Sequence, residues 1–151
     1  MQDMSAEPDH VILCWLATAD SRGQPNVSPK EIFLRSAPDE VLIADIASPR
    51  SVANIRENPK VCVSMIDIFR QRGEKLEGIA DLIGPEDPDF ERLKARMNRL
   101  TGGLFPIRHI IRVRIGPVSP IRAPGYFVFP EKTEEDMQRE AFATYRVMPL
   151  P

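Results

Sequence analysis

Ser48-Pro49-Arg50-Ser51-Val52-Ala53-Asn54-Ile55-Arg56-Glu57-Asn58-Pro59 lies between two apolar runs, Val41-Leu42-Ile43-Ala44-Asp45-Ile46 and Val61-Cys62-Val63-Ser64-Met65-Ile66. The runs read as strands and the stretch between them as one short helix with sharp ends. Ser48 suits the N-cap, and Pro49 suits the first helical position, where no N–H is needed. Pro59 stops the helix and pushes Asn58 toward extended geometry. A helix start carries partial positive charge and prefers an anion. Here the first turn carries Arg50 and no acid. A bound anion between guanidinium and backbone N–H groups would resolve that conflict. Ser51 adds a hydroxyl, and Asn54 follows one turn on, on the same face. Amides, guanidinium and hydroxyls converging in this way make a phosphate seat. The same spacing also fits a surface arginine beside two capping serines.

Outward from this stretch the chain reads as short strands. Val11–Ala19 is apolar on both alternating faces, as in a strand covered on both sides. Asp20-Ser21-Arg22-Gly23-Gln24 is a turn cluster, and a second strand is expected over Pro25–Leu34, paired with the first as a hairpin. Asn26, Ser28 and Lys30 share one face of that strand. Pro29 within it points to an edge or a bulge, and a polar face with a lysine there is either a solvated edge or a ligand surface. Further strands are expected over Val41–Ile46, Val61–Ile68, Lys75–Ile83 and Ile107–Val118. Gly78 inside the fifth signals a bulge or a close backbone approach. A second helix is expected with Asp87 as cap and Pro88 first, its stripe formed by Phe90, Leu93, Met97 and Leu100, and its stop at Gly102. Arg112 and Arg114 read as a solvated face of the last strand. Thr133 caps a third helix, with Glu134, Glu135 and Asp136 in its first turn. The inner side of that helix must dock on the barrel or on a second subunit. The expected class is mainly β: a six-stranded antiparallel barrel with two or three short helices.

Composition bounds the function. The chain of 151 residues suits one domain, with a polar lead over residues 1–9 and a C-terminal arm over 119–151. Hydrophobic content of 42% permits a core, and a formal net charge of −2 gives no basic stripe for nucleic acid. No apolar run reaches the length of a membrane span, and the acidic start does not read as a signal peptide, so a cytoplasmic protein is expected. Cys14 and Cys62 lie in strand-like runs and read as free thiols in a reducing compartment. His10 and His109 are far apart in sequence, and no metal-binding spacing is present.

Together these pieces resemble the pyridoxamine 5′-phosphate oxidase-like family of FMN-binding split barrels. The likeness is carried by Gly23-Gln24-Pro25-Asn26-Val27-Ser28-Pro29-Lys30-Glu31, by Ile43-Ala44-Asp45-Ile46, by Ser51-Val52-Ala53-Asn54-Ile55-Arg56-Glu57-Asn58-Pro59-Lys60-Val61 and by Gly78-Ile79-Ala80. The arm, Ala123-Pro124-Gly125-Tyr126-Phe127 and Thr133-Glu134-Glu135, is similar to the tails of short members. The resemblance implies a split barrel that dimerises with FMN at the subunit interface. It puts the flavin phosphate near Ser48, Arg50 and Ser51, with Asn54 on the same face. It lines the ring and ribityl chain with Ser28, Pro29, Lys30, Ala44 and Asp45, and adds Arg70 and Gln71 from the turn before the fifth strand. The family's tandem Arg–Lys is Arg50-Ser51 here, and Lys30 is the candidate to compensate. The vitamin-making oxidases end in a segment with Trp and Arg, whereas Trp15 is this chain's only tryptophan. The implied activity is therefore flavin-dependent oxidoreduction of an unspecified small molecule, with NAD(P)H as a candidate donor and no side chain assigned as catalytic. A non-catalytic flavin-binding or redox-sensing module is the alternative, as are F420 and haem, which relatives of this fold hold. No histidine stands near the proposed seat in the sequence, which counts against haem.

Overall fold

A computed structural model describes residues 11–151; the polar lead and His10 lie outside the described residues. Its elements are β1 (Cys14–Ala19), β2 (Pro25–Lys30), β3 (Phe33–Ala37), β4 (Glu40–Asp45), α1 (Pro49–Glu57), β5 (Lys60–Asp67), β6 (Arg72–Ile83), α2 (Phe90–Thr101), β7 (His109–Arg122), α3 (Gly125–Val128) and α4 (Glu134–Tyr145). The strands form one antiparallel sheet in the order β2-β1-β5-β6-β7-β4-β3.

The sheet has seven strands where six were expected, because the run Pro25–Leu34 breaks in two. Its first part pairs with β1, Cys14 lying opposite Lys30. Its second part pairs with β4, Phe33 lying opposite Ile43. At the break, Glu31 is exposed and Ile32 is buried, and the Ile32 carbonyl accepts the Ala44 amide at 2.9 Å. The two edge strands of the sheet are thus consecutive in the chain. That short link draws the edges toward each other and rolls the sheet into a split barrel.

Two apolar clusters lie on either side of β4 and β7. Val41, Ile43, Ile111 and Val113 join Leu16, Val63 and Leu76 inside the barrel. Leu42, Ala44 and Ile110 face outward and are covered by Phe90, Leu93 and Met97 of α2. This double burial explains why Val41–Ala44 is continuously apolar, without alternation. Beyond the reach of α2, Arg112 and Arg114 continue the outer face of β7 and pair with Asp81 at 3.7 and 3.5 Å.

Gly78 behaves as its position in the strand suggested. The β6–β7 register shifts between Leu76 and Gly78, and a Cβ at Gly78 would stand 2.5 Å from the Arg114 carbonyl oxygen. Helix α2 starts later than expected, with Asp89 as N-cap; Asp87 instead accepts the Asp89 amide at 2.9 Å within the preceding turn. Helix α4 begins at Thr133 with a full capping box to Asp136. It docks on the chain's own β5–β6 hairpin, where Arg72 pairs with Glu134 at 2.8 Å and Phe69 stacks on Phe142 at 5.0 Å. The short α3 was not expected from the sequence. Cys14 and Cys62 are free thiols.

Candidate functional site

The strand β4 ends at Asp45, and the chain turns over Ile46-Ala47-Ser48 into α1. Asp45 fixes that turn: one carboxylate oxygen accepts the Ser48 amide at 3.0 Å. Ser48 is the N-cap residue, yet its hydroxyl does not cap the helix. It accepts instead from the Lys30 ammonium, which reaches across from the end of β2. With no side chain capping it and no acid in its first turn, α1 keeps the positive character of its start.

The second-strand residues converge on the same turn. Ser51 is buried, and its hydroxyl lies 3.1 Å from the Ser28 hydroxyl and 3.5 Å from the Asn26 amide. One turn on, Asn54 is buried and donates to the Thr18 hydroxyl at 3.0 Å, pinning α1 to β1. Arg50 points to solvent, and among the described residues it makes no ion pair. Lys30, 5% exposed, is the buried cation of the group. Burial pushes its pKa down from the usual lysine value, and Asp45 pulls it part of the way back. Beside Lys30 and Ser48 opens a cleft of about 250 Å³, walled also by Pro29, Ala44, Ile32 and Phe105.

Nine of the expected residues thus gather around one helix start: Ser28, Pro29, Lys30, Ala44, Asp45, Ser48, Arg50, Ser51 and Asn54. Arg70 and Gln71 do not join them within the chain. Arg70 pairs with Asp67 at 3.3 Å and reaches Glu134 of α4 at 3.9 Å. Gln71 adopts the left-handed backbone at φ 55°, and its carbonyl accepts the Ala123 amide at 3.0 Å. Both hold the C-terminal arm.

The structure also corrects one expectation. A histidine does stand near the seat: His109 Nδ1 lies 3.1 Å from the second oxygen of Asp45. No local pattern signals this, since 64 residues separate the two and only the β4–β7 register places Asp45 opposite His109. Thr18 and Phe105 are likewise site neighbours that no local pattern marked, whereas Asn26 shares the strand face already read with Ser28 and Lys30. Among the described residues no group of three His, Cys, Asp or Glu could hold a metal ion, and no helix is long and apolar enough to cross a membrane.

Fold and site together define a split barrel with a cluster of hydrogen-bond donors at the start of its first helix. Residues 2–123 match the family of pyridoxamine 5′-phosphate oxidase, more than half of the chain, and the protein belongs to that family. None of the curated proteins matches it. Among solved structures it is similar to an FMN-binding protein of Syntrophomonas wolfei, with 19% identity over 74% of this chain and 78% of that one, at a TM-score of 0.63. It is also similar to HutZ, a haem storage protein of Vibrio cholerae (18% identity, 75% and 87% covered, TM-score 0.61). An F420 reductase shares 24% identity over 74% of this chain and 91% of its own, at a TM-score of 0.55. At these identities the likeness establishes the fold.

Proposed function

We propose that this chain binds FMN, with the flavin phosphate at the start of α1, and works as a homodimeric flavin-dependent oxidoreductase on a small molecule. One observation carries the reading: a helix start that no side chain caps gathers the Lys30 ammonium on Ser48, the paired hydroxyls of Ser28 and Ser51, and an exposed Arg50 with no ion pair among the described residues. That donor set fits a phosphate ester, which is acceptor-only, doubly charged and wants several N–H and O–H partners. Family membership and the FMN-binding relative of Syntrophomonas wolfei support the same choice.

In this reading Arg50 holds the ester from solvent and Lys30 holds it from below. Asp45 keeps the turn in place by accepting the Ser48 amide, and Asn54 locks the helix to β1. Pro29, Ala44 and Phe105 give the cleft beside Lys30 an apolar wall. When bound, FMN supplies the hydride or electron transfer, and the protein supplies binding and orientation. The second copy lies against the outer face of the β1-β5-β6 sheet. A groove of about 860 Å³ opens there, lined by Thr18, Pro25, Cys62, Ile79 and Arg114. Thr18, whose side chain Asn54 of α1 engages, also lines this groove, so β1 stands between groove and seat.

Purified protein is expected to be yellow, or to become so on adding FMN, with about one flavin per subunit, and to turn over NAD(P)H with an acceptor. Colourless protein that takes up no FMN would overturn the reading. Flavin binding without turnover would leave a flavin-binding or redox-sensing module. The fold is shared with a haem storage protein, and His109 lies close to the seat with its Nδ1 facing Asp45. The absorption spectrum of pigment taken from the native source separates haem and F420 from FMN.

A further inference from the structure

Asp45, 3% exposed, lies between two groups that can carry positive charge. On one side is Lys30, bonded through the Ser48 hydroxyl to the turn that Asp45 itself holds. On the other is His109, with its Nδ1 at 3.1 Å. A carboxylate only accepts, so Nδ1 carries the shared proton, and a further proton enters at Nε2. The His109 ring is 26% exposed, whereas Lys30 and Asp45 are buried, so solvent protons reach the group through the histidine.

One buried carboxylate offsets one positive charge. While the imidazole is neutral, Asp45 offsets Lys30, and the group sums to zero. Once the imidazole is protonated, Asp45 is shared, and one positive charge is left in surplus below α1. Lys30 and Asp45 are buried, so solvent screens their charges less than it screens exposed ones. Imidazole is also the side chain whose ordinary titration falls between about pH 5 and 8.

We propose that His109 sets the charge of the buried Lys30–Asp45 pair, so that the seat at α1 holds a phosphate ester more tightly when His109 is protonated. The proposal rests on the reading of α1 as a phosphate seat. The other titratable or charged groups around the trio come from each packed element. Cys14 on β1 faces Lys30, and burial pushes its thiol up to about 12, which keeps it neutral. Glu31 after β2, Arg50 on α1 and Arg108 before β7 are all exposed. Among the described residues, Asp45 is the one carboxylate that His109 pairs with.

The test is an FMN titration of the wild type and of His109→Asn from pH 5.5 to 8. Asparagine can still donate toward Asp45 but cannot gain charge. The ester loses negative charge of its own near pH 6, so the informative quantity is the ratio of the two dissociation constants at each pH. That ratio is expected to grow about three- to tenfold in favour of the wild type as the pH falls. With riboflavin, which lacks the phosphate, the ratio is expected to stay flat. A flat FMN ratio, or riboflavin following FMN, overturns the proposal.

A second measurement needs no change at His109. The chain has two histidines, so His10→Asn leaves one ring to follow by NMR. By reciprocity that ring is expected to titrate at higher pH with FMN bound than without. An unmoved titration overturns the proposal. Tight FMN binding that Arg50→Ala weakens, together with a flat His109 ratio, overturns this inference alone. Failure of the wild type to bind FMN at any pH overturns it together with the phosphate seat.

Discussion

Arg50 occupies the first turn of α1, where the helix field disfavours a cation by a few tenths of a kcal/mol. Its side chain is exposed and has no partner among the described residues, so folding does not account for its presence there. In the proposed reading its work is to bind the ester. Arg50→Ala is therefore expected to leave stability within about 0.5 kcal/mol and to weaken FMN binding by roughly 1.5–3 kcal/mol, the scale of a charge-assisted hydrogen bond. Isothermal titration and a urea melt on the same variant separate the two effects, and unchanged affinity would put the phosphate elsewhere. Cys14 shows the opposite situation, a titratable group that serves the core. It is fully buried, and burial raises its pKa from an ordinary 9.0 to about 12. Between those values the unfolded chain has lost the proton while the fold keeps it, so the fold binds more protons and stability falls as pH rises. The loss is about 1.4 kcal/mol per pH unit within that window. Lys30, whose pKa burial lowers, acts in the opposite sense below its ordinary 10.5. The comparison with Cys14→Ala isolates the thiol: the wild type's advantage over the variant is expected to shrink from pH 9 upward. In folded protein dissociated to monomers at neutral pH, Cys62, which lines the outer groove, should alkylate well before Cys14.

Elements differ in how far their own residues specify them. Thr133 with Asp136 forms a cap from two residues three apart, so the start of α4 was legible in the sequence. The same holds for α1, closed by Pro49 and Pro59, and for Gly78, whose missing Cβ leaves room for the Arg114 carbonyl. The division of Pro25–Leu34 was not legible, because nothing local says that Phe33 pairs with Ile43 rather than continuing along β1. That choice belongs to barrel closure, a long-range matter. The start of α2 slipped for a smaller reason: Asp87 and Asp89 are both acceptors suited to a cap, and Asp87 was taken up by the turn. The candidate site divides along the same line. Its helix-start residues were legible because capping and charge rules are local. His109 was invisible because cross-strand register alone brings it to Asp45. Two substitutions test the element-level claims. Gly78→Ala is expected to destabilise by about 1–3 kcal/mol, since the Arg114 backbone must give way. Thr133→Ala is expected to cost about 0.5–2 kcal/mol through the lost cap. Urea melts measure both. A neutral Gly78→Ala would mean that the β6–β7 bulge is more tolerant than its geometry implies.

At the scale of the whole molecule, the barrel buries one face of the β1-β5-β6 sheet and leaves the other open. Trp15, Val27 and Ile79 remain 41%, 59% and 39% exposed on that side. Isolated apolar residues on a surface need no explanation, but Ile79 lines the groove of this face, to which Thr18 of β1 also contributes. If a second copy covers this face and the flavin lies where the two meet, dimerisation and flavin binding must be linked. Ligand at about 100 times its dissociation constant stabilises the state that binds it by about 2.7 kcal/mol per site. FMN should therefore tighten the dimer, and dilution should release flavin. Ile79→Arg places a charge in the groove while sparing the barrel interior, which Leu76 and Ala80 fill from the same strand. This variant is expected to sediment as a folded monomer and to bind FMN at least tenfold more weakly, although Ile79 lies outside the cluster at the helix start. A dimer that survives the substitution would move the interface to another face. A monomer that keeps full affinity would make the seat complete within one chain, with Lys30, Ser28, Ser51 and Arg50 sufficient without a partner.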